Sequence, residues 1–269
     1  MVKKLLKYEF ISYLRTLMPM YVIMLAIGLL NRFIQLFEND HFSYNIVFTS
    51  SLVALIISAV VCLLMTVVMG VIRFYKNLYT AEGYLSFTLP VTAGQHIFSK
   101  LMMLVTFTCI SLLAIFAACS FAMMGEFFAE VFKAIGYLLN RFCREYSTHS
   151  IFYILEVILL FFAAIIYLYL VYYGCITIGQ TAKKNRILMA FGVYFIYYLI
   201  TQVLGTIMVI VGMFFGEIGI LEKLGTFITR HPLTSAHFFL IGEAVLLAGL
   251  SAAYYFIIRY FMNNKLNLE

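Results

Sequence analysis

Six stretches of this sequence are long and apolar enough to cross a lipid bilayer, and this pattern constrains the fold more than any other feature. A span needs about 20 mostly apolar residues to cross roughly 30 Å of hydrocarbon. Because 64% of the residues are hydrophobic and 11% are charged, little of the chain is left for a soluble catalytic domain. We predict an all-α integral membrane protein, a single transmembrane domain over residues 1–269, with spans at 17–37, 47–72, 97–124, 151–179, 187–215 and 237–261.

The basic residues are distributed unevenly between the two sides of the predicted spans. Twelve Lys and Arg residues lie in the amino-terminal segment, the second-to-third and fourth-to-fifth connections and the tail, whereas five lie in the other three connections. Since cytoplasmic connections carry the excess of positive charge, both termini are predicted to be cytoplasmic. The net charge of +6 is then a topology signal and does not indicate a nucleic-acid partner.

Three segments outside the spans are themselves apolar at helical spacing. Residues 1–16 predict an amphipathic interfacial helix in the inner headgroup region, and residues 125–150 predict an amphipathic helix on the outer leaflet. Residues 214–236 combine bulky apolar side chains with three glycines, which favours short, partly re-entrant helices before the last span. A plain basic flank is the alternative for the first segment, and a plain surface helix for the third.

Three ionisable residues lie inside the predicted spans, where charge is costly and usually faces the interior or a cavity. Arg32, Glu156 and Glu243 each lie five or six residues from the outer end of their span, so they share one depth. We predict that Arg32 neutralises Glu156, Glu243 or both in an intramembrane polar node. The alternative is that each side chain reaches the outer headgroups separately.

The sequence lacks the motifs of the familiar catalytic and metal sites. It contains no GxxxxGK[ST] phosphate loop, no HExxH and no GxSxG. Five cysteines and five histidines are scattered without metal-ligand spacing, and Asp40 is the one aspartate. We therefore predict no catalytic residue, no metal site and no cofactor in this chain.

The second-to-third connection, residues 73–96, is the most informative segment. Thr92 followed by Gln95 is a capping box, and Pro90 disfavours helix at Leu89, so a new helix is predicted to begin near Thr92. Before it, a short element that begins at Glu82 exposes apolar and aromatic side chains to the cytoplasm. Such a surface favours burial in the groove of a partner, with a partnerless interfacial loop as the alternative.

The run EGYLSFTLPVTAGQHIFSKL, at 82–101, resembles the first cytoplasmic connection of type-2 ABC transporter permeases from Gram-positive bacteria. The basic amphipathic start KKLLKYEFISYLRTL and the six spans resemble the layout of their half-size members. The resemblance implies that 82–89 forms a coupling helix that docks on a separate ABC ATPase subunit, which binds ATP and Mg²⁺. It also implies that two permease subunits, identical or different, enclose the path along which the substrate crosses the membrane. The residues implied for coupling are Glu82, Gly83, Tyr84, Leu85, Phe87, Leu89 and Pro90.

By this resemblance the chain is an exporter subunit in the cell membrane and is not itself an enzyme. The scarcity of charge in the spans argues against a strongly charged solute, so we expect an amphipathic or apolar substrate. The resemblance implies that an antimicrobial peptide is one such substrate. Sodium export and drug export stay open. The rival prediction is a non-transporting membrane sensor or assembly module that recruits a soluble protein, and a membrane enzyme of unfamiliar chemistry is third.

Overall fold

The computed structural model describes residues 2–37, 42–88, 90–123, 126–146, 148–182, 184–217 and 220–264. Within these ranges the chain forms α-helices joined by short turns, without a β-strand. The helices are α1 (Val2–Gln35), α2 (Phe42–Tyr79), α3 (Ala81–Thr88), α4 (Ala93–Ala122), α5 (Glu126–Tyr146), α6 (Thr148–Gly179), α7 (Arg186–Glu217), α8 (Ile220–Arg230) and α9 (Pro232–Asn264).

Six of these helices, α1, α2, α4, α6, α7 and α9, are long and apolar enough to span a membrane, as the sequence predicted. Each contains at least 30 residues, which exceeds the roughly 20 that a span requires. The helices therefore extend past the predicted spans at one or both ends. The all-α prediction is confirmed for the described residues, and so is the prediction of six helices long and apolar enough to span a membrane.

The chain divides into two compact units, each with three of the six long helices. The first unit contains Met1–Leu78 and Glu82–Arg144, and the second contains Tyr79–Ala81 and Glu145–Glu269. The prediction of a single transmembrane domain over residues 1–269 stays a prediction.

In the first unit α1 packs against α4 along a buried stripe. Four bulky residues of α1 recur at a spacing of three or four and bury themselves: Tyr13, Leu17, Tyr21 and Met24. Farther along, Gly28 of α1 meets the backbone of Ala118 so closely that a Cβ at position 28 would lie 2.5 Å from the Ala118 carbonyl oxygen. The glycine therefore permits the close approach of the two helices.

Buried hydroxyl and amide groups also join the three long helices of the first unit. Ser111 of α4 hydrogen-bonds to the hydroxyl of Tyr21 on α1 (2.8 Å) and to that of Thr66 on α2 (2.7 Å). Asn31 of α1 donates to the carbonyl oxygen of Ser51 on α2 (3.1 Å), and the Ser51 hydroxyl donates to the Asn31 Oδ1 (2.7 Å). Each pair satisfies polar groups that water cannot reach in a bilayer.

In the second unit α6 packs against both α7 and α9. Tyr167 of α6 and Tyr197 of α7 share a hydrogen bond of 2.9 Å between their hydroxyl groups, and the ring of Tyr254 on α9 lies against both rings. The tyrosines therefore connect the three long helices at one level. Where α6 turns into α7, Gly179 lies so close to α7 that a Cβ at position 179 would be 2.7 Å from Ala190.

The structure differs from the predicted boundary of the amino-terminal helix. We predicted a separate interfacial helix over 1–16 and a span from residue 17, but α1 continues unbroken through both. The physical reason is that Tyr13 and Leu17 lie on the same buried stripe, so α4 supports the helix on both sides of the predicted boundary.

The two other amphipathic segments are helical. The predicted helix within 125–150 is α5, and α8 lies within 214–236. Their positions relative to the bilayer, including the re-entrant geometry of 214–236, stay predictions, as do the sides on which the termini lie.

Candidate functional site: a short helix on a buried charged cluster

Helix α3 presents apolar side chains at the surface between α2 and α4. The side chain of Tyr84 is 55% exposed and that of Leu85 is 73% exposed, whereas Gly83 is buried and faces the protein. Pro90 is exposed, as expected of a residue between two helices. Leu89 and the side chain of Phe87 lie outside the described residues. The predicted short element is therefore an α-helix, and its described apolar side chains point outward.

The predicted capping box fixes the start of α4. The backbone N–H of Gln95 donates to the Thr92 hydroxyl oxygen (3.4 Å), and the Gln95 amide oxygen accepts from the backbone N–H of Thr92 (3.1 Å). These reciprocal bonds satisfy two donors at the helix start, so α4 begins at Ala93 as the sequence predicted.

Two contacts attach α3 to its neighbours. Lys76 near the end of α2 forms an ion pair of 3.5 Å with Glu82, but both side chains are more than half exposed, so the pair contributes little stability. The second contact is buried: the imidazole of His96, 2% exposed on the first turn of α4, lies against the backbone of Ser86. His96 thus connects α3 directly to α4.

One helical turn after His96, Lys100 belongs to a buried charged cluster that we define as Glu9, Arg73, Asn77 and Lys100. The Glu9 carboxylate of α1 accepts from the Lys100 Nζ of α4 at 2.7 Å. It also accepts from Arg73 and Asn77 of α2, each at 3.2 Å. Glu9 is 6% exposed and Lys100 is 3% exposed. A carboxylate with three donors is compensated for the loss of water, and the cluster therefore joins α1, α2 and α4.

Aromatic rings form the wall that shields this cluster. Tyr13, one turn after Glu9 on α1, is fully buried and stacks on Phe107 of α4 with 5.0 Å between ring centroids. The guanidinium of Arg73 lies 4.8 Å from the centroid of the Tyr13 ring and also donates to the hydroxyl of Ser12. Because the rings exclude water, the attraction between Glu9 and its cations is stronger than it would be at a surface.

This cluster was not predicted from the sequence, because the charges before the first span indicate a basic face towards lipid headgroups. A signal was present, since Glu9 is the one acidic residue among the first 37. A lone carboxylate among Lys3, Lys4, Lys7 and Arg15 at the start of an apolar helix marks a position that needs partners when buried. The partners of Glu9 lie on α2 and α4, so they can be identified from the packing of the helices and not from the spacing of residues along α1.

The three residues of the predicted polar node have different surroundings. Arg32 donates to the Gln35 side chain (3.3 Å), and Gln35 donates to the carbonyl oxygen of Ala122 (2.7 Å), all in the first unit. In the second unit Glu156 pairs with His237, which the sequence analysis did not consider, and Glu243 is exposed on α9. That Arg32 neutralises Glu156, Glu243 or both stays a prediction.

Among the residues that the structure describes, no group of three or more His, Cys, Asp or Glu side chains converges on a single metal position. All five cysteines are free thiols: Cys62, Cys109, Cys119, Cys143 and Cys175. The cluster beneath α3 accordingly offers fixed charge and rigid packing, and it contains no thiol or hydroxyl paired with a base. Such an arrangement is suited to holding helices together.

Comparison with protein-family models, curated proteins and solved structures finds no match to this chain. What can support a function is therefore the chain's own residues and contacts.

Proposed function

We propose that this chain is the transmembrane subunit of an ATP-driven ABC exporter, with α3 as the helix that docks on a separate ATPase subunit. In this proposal the protein lies in the cell membrane with both termini in the cytoplasm, pairs with a second permease subunit and moves an amphipathic or apolar substrate outward. The observation that carries the proposal is that α3 exposes Tyr84 and Leu85 and lies against His96 of α4, one turn before Lys100 of the buried charged cluster.

The exposed side chains of α3 suit a docking surface. An aromatic and an aliphatic side chain next to each other gain on the order of 2 kcal/mol each when a partner groove buries them. Glu82 at the edge of α3 is more than half exposed and remains available to a basic residue at the rim of such a groove. A partner would thus find an apolar centre with a charged margin.

The contacts beneath α3 supply a route by which a docked partner can move the spans. A displacement of α3 acts on α4 through the contact of His96 with Ser86. Four residues after His96 on α4, Lys100 donates a hydrogen bond to Glu9 of α1, and Glu9 also accepts a hydrogen bond from Arg73 of α2. Because Glu9 holds both cations, the three helices respond together and not one at a time.

The docking proposal is tested with a matched pair of double variants. The sequence Gly-Tyr-Leu occurs at 83–85 in α3 and again at 136–138 in α5, where Tyr137 and Leu138 are 66% and 61% exposed. The chain is co-expressed with the phosphate-loop ATPase encoded by an adjacent reading frame, and the complex is purified through the permease. Truncating Tyr84 and Leu85 to Ala should remove about 3–4 kcal/mol of interface energy, a 100- to 1,000-fold loss of affinity.

The same truncation at Tyr137 and Leu138 should leave the complex intact, because α5 lies on the opposite side of the membrane in the proposed topology. Full retention of the ATPase and of its substrate-stimulated ATP hydrolysis by the α3 variant would refute docking at α3. If the adjacent reading frames encode no such ATPase, the sensor or assembly-module alternative is favoured.

The proposed topology has its own test in the exposed thiol of Cys143 on α5. With both termini in the cytoplasm, α5 follows the third span and lies outside. A maleimide that does not cross membranes should label intact cells that express the chain, and Cys143→Ser should abolish the labelling. Labelling of Cys143 only after permeabilisation would reverse the topology.

A further inference from the structure

A second polar group lies in the second unit, far along the chain from α3, where the first turns of α6 and α9 meet. His149, Tyr153 and Glu156 are spaced by four and three residues, so they share one face of α6. Opposite them is His237 in the second turn of α9. None of these residues takes part in the proposed docking of an ATPase, so a role for them is independent of that proposal.

The side chains of this group are aligned in a row. The Nδ1 of His237 lies 2.7 Å and 2.8 Å from the two carboxylate oxygens of Glu156. The Nε2 of the same ring lies 3.2 Å from the Nδ1 of His149. Tyr153 stacks on the His237 ring, with 4.1 Å between centroids and an angle of 5° between the planes. The Tyr153 hydroxyl donates to the carbonyl oxygen of Leu233 (2.9 Å), which fixes the stacked ring against α9.

The carboxylate determines which nitrogen of His237 carries the proton. Glu156 can only accept, so the Nδ1 of His237 donates its proton to it. In the neutral ring the Nε2 then carries a lone pair, which accepts the hydrogen bond from the Nδ1–H of His149. A carboxylate that orients a histidine through one nitrogen, leaving the other as a ligand, is the arrangement found around protein-bound zinc.

The distance between the two facing nitrogens also fits a shared metal ion. With Zn–N bonds of about 2.0–2.1 Å, two nitrogens on one edge of a tetrahedron lie about 3.3–3.4 Å apart. The observed separation of 3.2 Å is close to this edge. His149 is exposed, and its ring can turn its own Nδ1 lone pair towards the metal by carrying its proton on Nε2.

We propose that His149 and His237 form a two-imidazole site for a borderline divalent transition metal such as Zn²⁺, with Glu156 as the residue that positions His237. Within the described part of the chain no third ligand joins them, so the remaining coordination positions are filled by water or by an external ligand. Imidazole nitrogens favour Zn²⁺, Cu²⁺ and Ni²⁺ over Mg²⁺ and Ca²⁺.

The test is a Zn²⁺ titration of the full chain in detergent, purified through an affinity tag that contains no histidine and followed by isothermal titration calorimetry. The wild-type chain should bind one Zn²⁺, and Mg²⁺ should not compete. Glu156→Gln should weaken Zn²⁺ binding about 10-fold, because the negative charge beside His237 is lost. The loss should be no larger, because the glutamine amide oxygen still accepts the hydrogen bond from the His237 Nδ1. His149→Ala and His237→Ala should each weaken it at least as much. Co²⁺ in place of Zn²⁺ should give a visible spectrum that both histidine variants lose.

His231→Ala is the matched control, because His231 is an exposed histidine of the same unit just before α9 and outside the row. It should bind Zn²⁺ as the wild-type chain does, and all variants should keep the helical circular dichroism spectrum. Since His149 is exposed, its removal tests the site without disturbing the core. If the wild-type chain binds no more Zn²⁺ than the His149→Ala/His237→Ala double variant, the two rings share a hydrogen bond alone and the proposal is overturned. A loss of affinity in His231→Ala equal to that in His149→Ala would overturn it as well.

Discussion

The buried charged cluster of the first unit predicts an unusual rescue between two destabilising substitutions. The cluster contains one carboxylate, Glu9, and two cations, Lys100 and Arg73, so its net charge is +1. Glu9→Gln removes the carboxylate that compensates the buried Lys100 and the partly buried Arg73, whereas Lys100→Met leaves Glu9 paired with Arg73. The double variant leaves one cation. We therefore expect Glu9→Gln to be rescued in part by Lys100→Met.

The contacts set the size of each effect. Removing one partner of a buried ion pair costs about 3–5 kcal/mol when the other charge loses its compensation, and this applies to Glu9→Gln. Lys100→Met loses one charged hydrogen bond of 2.7 Å, but the 3.2 Å contacts of Glu9 with Arg73 and Asn77 persist. Its cost should be about 1.5–3 kcal/mol, and methionine retains the packing of the lysine stem. Because the double variant has lost one of two like charges, it should be more stable than Glu9→Gln by about 1 kcal/mol or more.

The assay uses Cys62, a buried thiol of α2 in the same unit, as the reporter of unfolding. A thiol-reactive fluorophore is added during a thermal ramp, and the midpoints of wild type, both single variants and the double variant are compared in one detergent. The background chain has the other four thiols replaced through Cys109→Ala, Cys119→Ala, Cys143→Ser and Cys175→Ala. A double variant that unfolds below Glu9→Gln would show that the two cations do not depend on Glu9 as the contacts indicate.

Three further predictions concern backbone packing and helix ends. Gly28→Ala should destabilise the first unit by about 1–3 kcal/mol, because its Cβ would lie 2.5 Å from the Ala118 carbonyl oxygen. The same thermal assay measures this loss, and an unchanged unfolding midpoint would show that α1 and α4 can move apart without a loss of stability. Gly136→Ala on α5, with no atom within 4 Å of its Cβ, should instead stabilise the helix by about 0.5–1 kcal/mol, and a lower helical content by circular dichroism would contradict this. Thr92→Ala should cost about 1 kcal/mol and speed amide exchange in the first turn of α4, whereas unaltered exchange would mean that the capping box does not hold that turn.

The positions of the six long helices could be predicted from the sequence because hydrophobicity in a span depends on composition alone. The start of α4 was equally accessible, since Thr92 and Gln95 are three residues apart and act locally. The continuity of α1 was not accessible in this way. Residues 2–16 contain charges that resemble a headgroup-facing segment, and only the packing of Tyr13 and Leu17 on α4 shows that the helix is supported throughout.

The partners of buried charges were the least predictable feature. For Glu156 a common depth in the bilayer predicts Arg32 as a partner, which stays a prediction, and it gives no indication of His237, which lies 2.7 Å away in the same unit. Depth restricts which residues can meet, but the order in which helices pack decides which ones do. The same limit applies to Glu9, whose three donors come from two other helices.

The proline within α1 has a mechanical consequence for the first unit. Pro19 lies ten residues after Glu9, so α1 is anchored before the proline by the contacts of Glu9 and after it by the hydrogen bond of Tyr21 with Ser111. A proline has no N–H to give to the carbonyl of Arg15, and this turn therefore resists bending less than the turns around it. Because Leu17 before the proline and Tyr21 after it both lie on the buried stripe that packs on α4, this packing compensates for the backbone hydrogen bond that α1 lacks at Pro19.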